Sequence, residues 1–172
     1  LRECMDRYPG RFASLGAVNY AASDAPDRIR EEVRDHDLAG LRISAAVDNE
    51  AIWETVGDLG IMASLTGGME RMTDPRVEDY IQRFPDSTFR IEHMGWFPNL
   101  DGTPDDADYA RLMEFAAYPN VVFMLSGFYA YGKGYPHDEV IPFVERALEC
   151  FGPQRMIWGS DFPRVTTDET CE

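Results

Sequence analysis

Five apolar residues in a row, Val121-Val122-Phe123-Met124-Leu125, place the tightest limit on what this chain can become. A strand with one wet face alternates apolar and polar residues. A run without alternation suits a strand covered on both faces, as in a parallel sheet. Parallel neighbours need long crossovers, which are usually helices. The rest of the chain supplies that alternation of elements. Further strands are expected at Phe12–Tyr20, Leu38–Ala45, Gly60–Leu65, Ser87–Met94 and Met156–Trp158.

Helices are expected between them. Leu1–Tyr8 reads as the tail of one, closed by Pro9-Gly10. Pro26 and the acids after it open a second, which runs to about His36, and Asn49–Asp58 is a third. Thr73-Asp74-Pro75 opens another, with Val77, Tyr80 and Ile81 spaced for one face. Thr103-Pro104-Asp105-Asp106 opens the next, burying Leu112, Phe115 and Ala116. The last follows His137-Asp138, repeats apolar residues at Ile141, Val144, Leu148 and Phe151, and stops at Gly152-Pro153.

Six strands with helices between them form one parallel α/β sheet, either an open doubly wound sheet or a barrel. A dinucleotide-binding sheet would carry Gly-x-Gly-x-x-Gly after an early strand, and none is present. A complete barrel takes eight strands and roughly 250 residues. This chain has 172 residues, so a barrel reading leaves it two strands short.

Charge narrows the partners. A formal net charge of −15 with scattered Lys and Arg argues against nucleic acid and against anionic membrane surfaces. No apolar run approaches the roughly 18 residues of a membrane span, and Leu1–Asp6 lacks the apolar core of a signal peptide. Cys4, Cys150 and Cys171 are widely spaced, so reduced thiols in a cytoplasmic setting are expected, not a disulfide framework or zinc ribbon.

Candidate chemistry sits at strand ends. The segment Arg155–Pro163 reads as a short strand that stops at Gly159 and delivers Asp161 at its carboxyl end, where α/β enzymes keep their chemistry. Asp161 is either a functional carboxylate or the cap of the next turn. His93 ends another strand, sharing its face with Phe89 and Ile91, and imidazole suits metal ligation or proton transfer. Arg42 suits bidentate binding of a substrate carboxylate or a buried ion pair. Ser126 is a weaker member, better suited to turn chemistry with Gly127 than to nucleophilic attack, since no Gly-x-Ser-x-Gly elbow surrounds it. Tyr129, Tyr131 and Tyr135 line a pocket or pack their own loop. Arg90 and Glu92 conflict with this register. Alternating with Ile91 and His93, they would point at the helix layer, where they pair or where a bulge intervenes.

Several stretches together carry a resemblance: Tyr8-Pro9-Gly10-Arg11-Phe12, Gly40-Leu41-Arg42, Glu92-His93-Met94-Gly95, Leu125-Ser126-Gly127, and Phe151 through Arg155 to Pro163. In order and spacing they resemble the amidohydrolase-related family of TIM-barrel hydrolases, in particular the branch with 2-pyrone-4,6-dicarboxylate lactonase and sugar lactonases. The resemblance implies a TIM (β/α)8 barrel, incomplete here, with residues 1–172 as a single domain truncated at both ends. It supplies strands three to eight and lacks the first two strands and the closing helix.

The resemblance also implies roles. Asp161 would activate the hydrolytic water or ligate a metal. His93 would polarise a carbonyl or ligate the same metal. Arg42, Ser126 and Tyr129 would bind a small, carboxylated substrate. One divalent metal, zinc or manganese, is implied by much of the family and dispensable in the lactonase branch. The chain departs from the pattern in having no His-x-His, and Leu65-Thr66-Gly67-Gly68 offers no histidine or carboxylate ligand. A metal site built on His93 and Asp161 alone is incomplete, since catalytic zinc ordinarily takes three protein ligands.

The expected function is therefore hydrolysis of a lactone or related cyclic ester, in a protein of which this chain is an internal piece, inactive by itself. The alternatives are a metal-dependent decarboxylase or hydratase on the same barrel, and a non-catalytic barrel fragment. Exposed strand edges invite association, so the isolated chain is expected to aggregate or to form homo-oligomers.

Overall fold

A computed structural model describes residues 2–96, 106–131 and 135–168. The element order is α1 (Arg2–Arg7), β1 (Ser14–Gly16), α2 (Ala25–His36), β2 (Leu38–Ser44), α3 (Glu50–Leu59), β3 (Met62–Thr66), α4 (Met69–Met72), α5 (Pro75–Arg83), β4 (Phe89–Ile91), α6 (Ala107–Met113), β5 (Val121–Leu125), α7 (Ile141–Phe151), β6 (Met156–Trp158) and α8 (Val165–Asp168). The strands pair in sequence order, all parallel, and curl into half a barrel. Among the described residues β1 pairs only with β2 and β6 only with β5, and each of these edge strands is three residues long.

Local chemistry sets the boundaries. Helix α5 begins where the Asp74 side chain accepts from the Arg76 amide at 2.9 Å, with Pro75 in the first turn, where a missing amide costs nothing. Helix α6 begins the same way, Asp106 accepting from the Asp108 amide at 3.0 Å; the expected start at Thr103-Pro104 lies outside the described residues. The strands expected at Phe12–Tyr20 and Ser87–Met94 are shorter, three residues each, because their flanks turn away from the ladder. One turn of helix, α8, follows Pro163.

The apolar residues of each strand fall into two layers. Leu41 and Ile43, Ala63 and Leu65, Phe89 and Ile91, and Val121 and Phe123 are buried with helix residues such as Ile29, Ile52, Ile81 and Phe143. Apart from Ala63, each such side chain stabilises the fold by about 1.5–3 kcal/mol when fully buried. The residues between them form one row across four strands in register: Arg42, Ser64, Arg90 and Val122. This row lies on the opposite, concave face, because neighbouring residues of a strand alternate.

This register corrects the expected orientation of β4. Phe89 and Ile91 are the residues buried under the helices, and Arg90 and Glu92 belong to the concave face. No bulge is needed. The strand ends at Ile91, before His93, so His93 does not share the face of Phe89 and Ile91 by alternation.

Two side chains tie loops to the sheet. The Asn120 amide donates to the carbonyls of Ile81 (3.0 Å) and Ser87 (3.2 Å), fixing the entry to β5 against the end of α5. The Arg155 guanidinium donates to the carbonyls of Ala116 (2.9 Å) and Tyr118 (2.8 Å) and lies 5.4 Å from the Phe151 ring centroid, which aims β6. Arginine suits this because its planar fork serves several acceptors at once.

Candidate active site

At the carboxyl end of the strands, Arg42, His93, Trp96, Tyr129, Ala130, Asp161 and Arg164 line an open cleft with a volume of about 710 Å3. Four of the residues singled out by sequence, Arg42, His93, Tyr129 and Asp161, therefore meet in one place. The remaining one, Ser126, is buried directly behind His93.

His93 reaches the cleft through an unusual backbone path. After Ile91 the chain makes a left-handed turn in which His93, Met94, Gly95 and Trp96 have φ of 47°, 51°, 83° and 52°. The turn closes with the Gly95 amide on the Glu92 carbonyl and the Trp96 amide on the His93 carbonyl, both at 2.9 Å. Left-handed geometry costs a residue with a Cβ on the order of 1–2 kcal/mol, so three such residues need a compensating hold. The fully buried Met94 side chain supplies part of it. The buried Tyr131 hydroxyl, donating to the His93 carbonyl, supplies more.

The imidazole is held on several sides. Its Nδ1 lies 2.9 Å from the Ser126 hydroxyl, and its ring meets Trp96 edge-on with centroids 4.5 Å apart. Its Nε2 lies 3.7 Å from Oε2 of Glu92. Burial pushes its pKa below the ordinary 6.5, opposed by the negative charges of Asp161 and Glu92 and assisted by Arg42 and Arg90. His93 is thus neutral near pH 7. In the tautomer where the Ser126 hydroxyl donates to Nδ1, the ring carries its proton on Nε2 and can donate to a carbonyl oxygen. Gly127 completes the cradle. Its φ is +75°, and a Cβ there would stand 2.9 Å from Nδ1.

Asp161 follows β6 and also has positive φ, 57°, which swings it off the strand line. Its side chain accepts a hydrogen bond from the Tyr129 hydroxyl, so it is held by the aromatic loop after β5. Of the three tyrosines in that loop, Tyr129 lines the cleft, Tyr131 is buried beneath His93 and Tyr135 is fully outside, 88% exposed.

Glu92 was the residue whose place the sequence left open. Its carboxylate is buried and joins the concave row. Oε2 receives Arg42 Nε at 2.8 Å, and Oε1 receives the Ser64 hydroxyl at 2.5 Å and faces Arg90 Nη2 at 3.4 Å. Arg90 Nε in turn donates to the Ser64 hydroxyl at 2.9 Å. Arg42 is thus an ion-pair partner and a cleft residue at once. The signal for this network is present in the sequence, since Arg90 and Glu92 are two apart and must share a face. Trp96 and Arg164 have no sequence signal of comparable strength.

Residues 1–171 match the amidohydrolase family. The chain belongs to that family. Among its relatives is an L-fucono-1,5-lactonase of Burkholderia ambifaria, 30% identical over 162 residues, which cover 88% of this chain and 55% of that protein. An amidohydrolase of Burkholderia multivorans, solved with bound zinc, superposes with a TM-score of 0.75 at 24% identity, over 98% of this chain and 64% of that one. A protein of Acinetobacter baumannii described as a probable 2-pyrone-4,6-dicarboxylic acid hydrolase, solved with citric acid, gives 0.72 at 16% identity, over 99% and 65%. The chain spans about half the length of the curated lactonase it matches.

The Burkholderia multivorans amidohydrolase holds zinc, which raises the question of whether the donors here could hold an ion. Among the described residues no three His, Cys, Asp or Glu side chains converge closely enough to hold an ion. His93 and Asp161 both reach the cleft, but each oxygen of Glu92 faces an arginine, and Oδ2 of Asp161 accepts from Tyr129. Two ligands fall short of the three that catalytic zinc ordinarily takes, so the described donor set does not fit a metal centre.

Proposed function

We propose that the protein hydrolyses a lactone at this cleft. The observation that carries the reading is the convergence of Asp161 and His93, from the segments that follow two different strands, on one open cleft walled by Arg42. The L-fucono-1,5-lactonase relative supports the substrate class. Asp161 takes the proton of a water whose oxygen attacks the acyl carbon. His93 donates from Nε2 to the carbonyl oxygen as negative charge develops there. The ring C–O bond then breaks, and the departing alkoxide recovers the proton from Asp161, giving a hydroxy acid. Arg42 and Tyr129 bind the carboxylate or hydroxyl oxygens of the substrate, and Ser126 acts through His93.

Acid release from L-fucono-1,5-lactone by the intact protein tests the proposal. The expected result is proton release well above the spontaneous rate. Spontaneous-rate release from this lactone and from other five- and six-membered lactones would overturn it.

A glycine offers a second test. Gly127→Ala places a methyl against His93 Nδ1 and a Cβ on a left-handed backbone. The expected outcome is a stability loss of about 1–2 kcal/mol and a further fall in kcat of roughly tenfold or more in the folded fraction, because the ring leaves its donor position. A kcat that stays native while stability falls would show that the cradle does not aim the imidazole.

A further inference from the structure

We infer that Glu92 positions Arg42 for substrate, holding the guanidinium by its Nε edge so that both Nη groups are presented to the cleft. The inference rests on the hydrolase reading above for what Arg42 binds, and on geometry for how it is held. Arg42 is a long side chain with half of its surface in solvent, and such a side chain samples many rotamers. Its side chain is met at Nε by Oε2 of Glu92, 2.8 Å away. Glu92 cannot follow a moving partner, because it is buried to 5% exposure and its other oxygen is fixed by the Ser64 hydroxyl at 2.5 Å. Ser64 is fixed in turn by Arg90 Nε at 2.9 Å. Ser64, Arg42 and Arg90 occupy one register row, so the chain Arg90–Ser64–Glu92–Arg42 is anchored on three adjacent strands.

A buried carboxylate is stable only when paired and hydrogen-bonded, and two guanidiniums and a hydroxyl meet that need. The pairing has a directional consequence. A carboxylate engaging both Nη groups would hide the fork from substrate, whereas engagement at Nε leaves it open. Lysine cannot reproduce this, because a single ammonium lacks a second edge.

The test has a ligand-free arm and a ligand arm, both on the intact protein. Solvent exchange of the Arg42 Nε proton is followed by NMR, the signal being assigned by its loss in Arg42→Lys. Glu92→Gln keeps the side-chain shape and removes the charge. Its expected effect is exchange about tenfold faster or more, with KM for L-fucono-1,5-lactone raised roughly tenfold. Arg42→Ala and Glu92→Gln combined should be no worse in KM than Arg42→Ala alone. Should Glu92→Gln fail to fold, Arg42→Lys, at a half-exposed position, decides: it should raise KM as much as Arg42→Ala. Equal exchange rates in the native protein and Glu92→Gln, a multiplicative double variant, or a native KM in Arg42→Lys would each overturn the proposal. A protein that hydrolyses no lactone sinks the hydrolase reading instead, and the exchange arm still decides whether Glu92 holds Arg42.

Discussion

Asp161→Asn is expected to lower kcat for lactone hydrolysis by about 10²–10⁴-fold while leaving the fold intact. The amide has the shape of the carboxylate and still accepts from the Tyr129 hydroxyl, so the loop contact survives. It cannot take a proton from water. Asp161 is half-buried and lines an open cleft, so no apolar packing is lost with the change. Kinetics on purified protein, with circular dichroism and a melting curve beside them, separate the two effects. Native turnover in this variant would remove Asp161 from the chemistry. A collapse of the melting curve would instead make it a structural residue.

Trp53→Ala is expected to cost about 3–5 kcal/mol of stability. Trp53 is among the largest fully buried side chains. Its indole nitrogen donates to the Val47 carbonyl at 3.0 Å, and its ring stacks on Tyr80 with centroids 4.7 Å apart. Truncation therefore opens a cavity between α3 and α5, and the loop after β2 loses its tie. Denaturant unfolding of the native protein and the variant checks this. A loss below about 1 kcal/mol would mean that the two helices close over the gap, and that their spacing is not set by the indole.

The parallel sheet was legible because period and punctuation agreed. Val121–Leu125 is a strand with those bounds, and Met156–Trp158 is too. Helix α5 starts at the Pro that its preceding aspartate announces. Where the outcome differed, the reason lies in groups that local pattern does not weigh. Ser87–Met94 reads as one strand because its residues are apolar or alternating, but pairing stops at Ile91 and the chain turns left-handed. That turn is held by Tyr131, nearly forty residues away along the chain, so nothing near His93 announces it.

Arg90 and Glu92 show the same division from the other side. That they share a face follows from alternation alone. Which face they share depended on where His93 went, and the left-handed turn frees His93 from the alternation. Their partners Arg42 and Ser64 come from two other strands, brought into register by parallel pairing.

By itself, then, the sequence determined the class of fold, the order of its elements, and which residue types stand at the ends of strands. Hydrophobic period and turn chemistry are local, and six strand–helix alternations leave few ways to connect. Tertiary structure alone decided that Glu92 faces inward to Arg42, that Ser126 lies behind the imidazole, and that Tyr129 holds Asp161. Those contacts join residues 32 to 50 positions apart, and only the curl of the sheet and the path of its loops bring such groups within hydrogen-bonding distance.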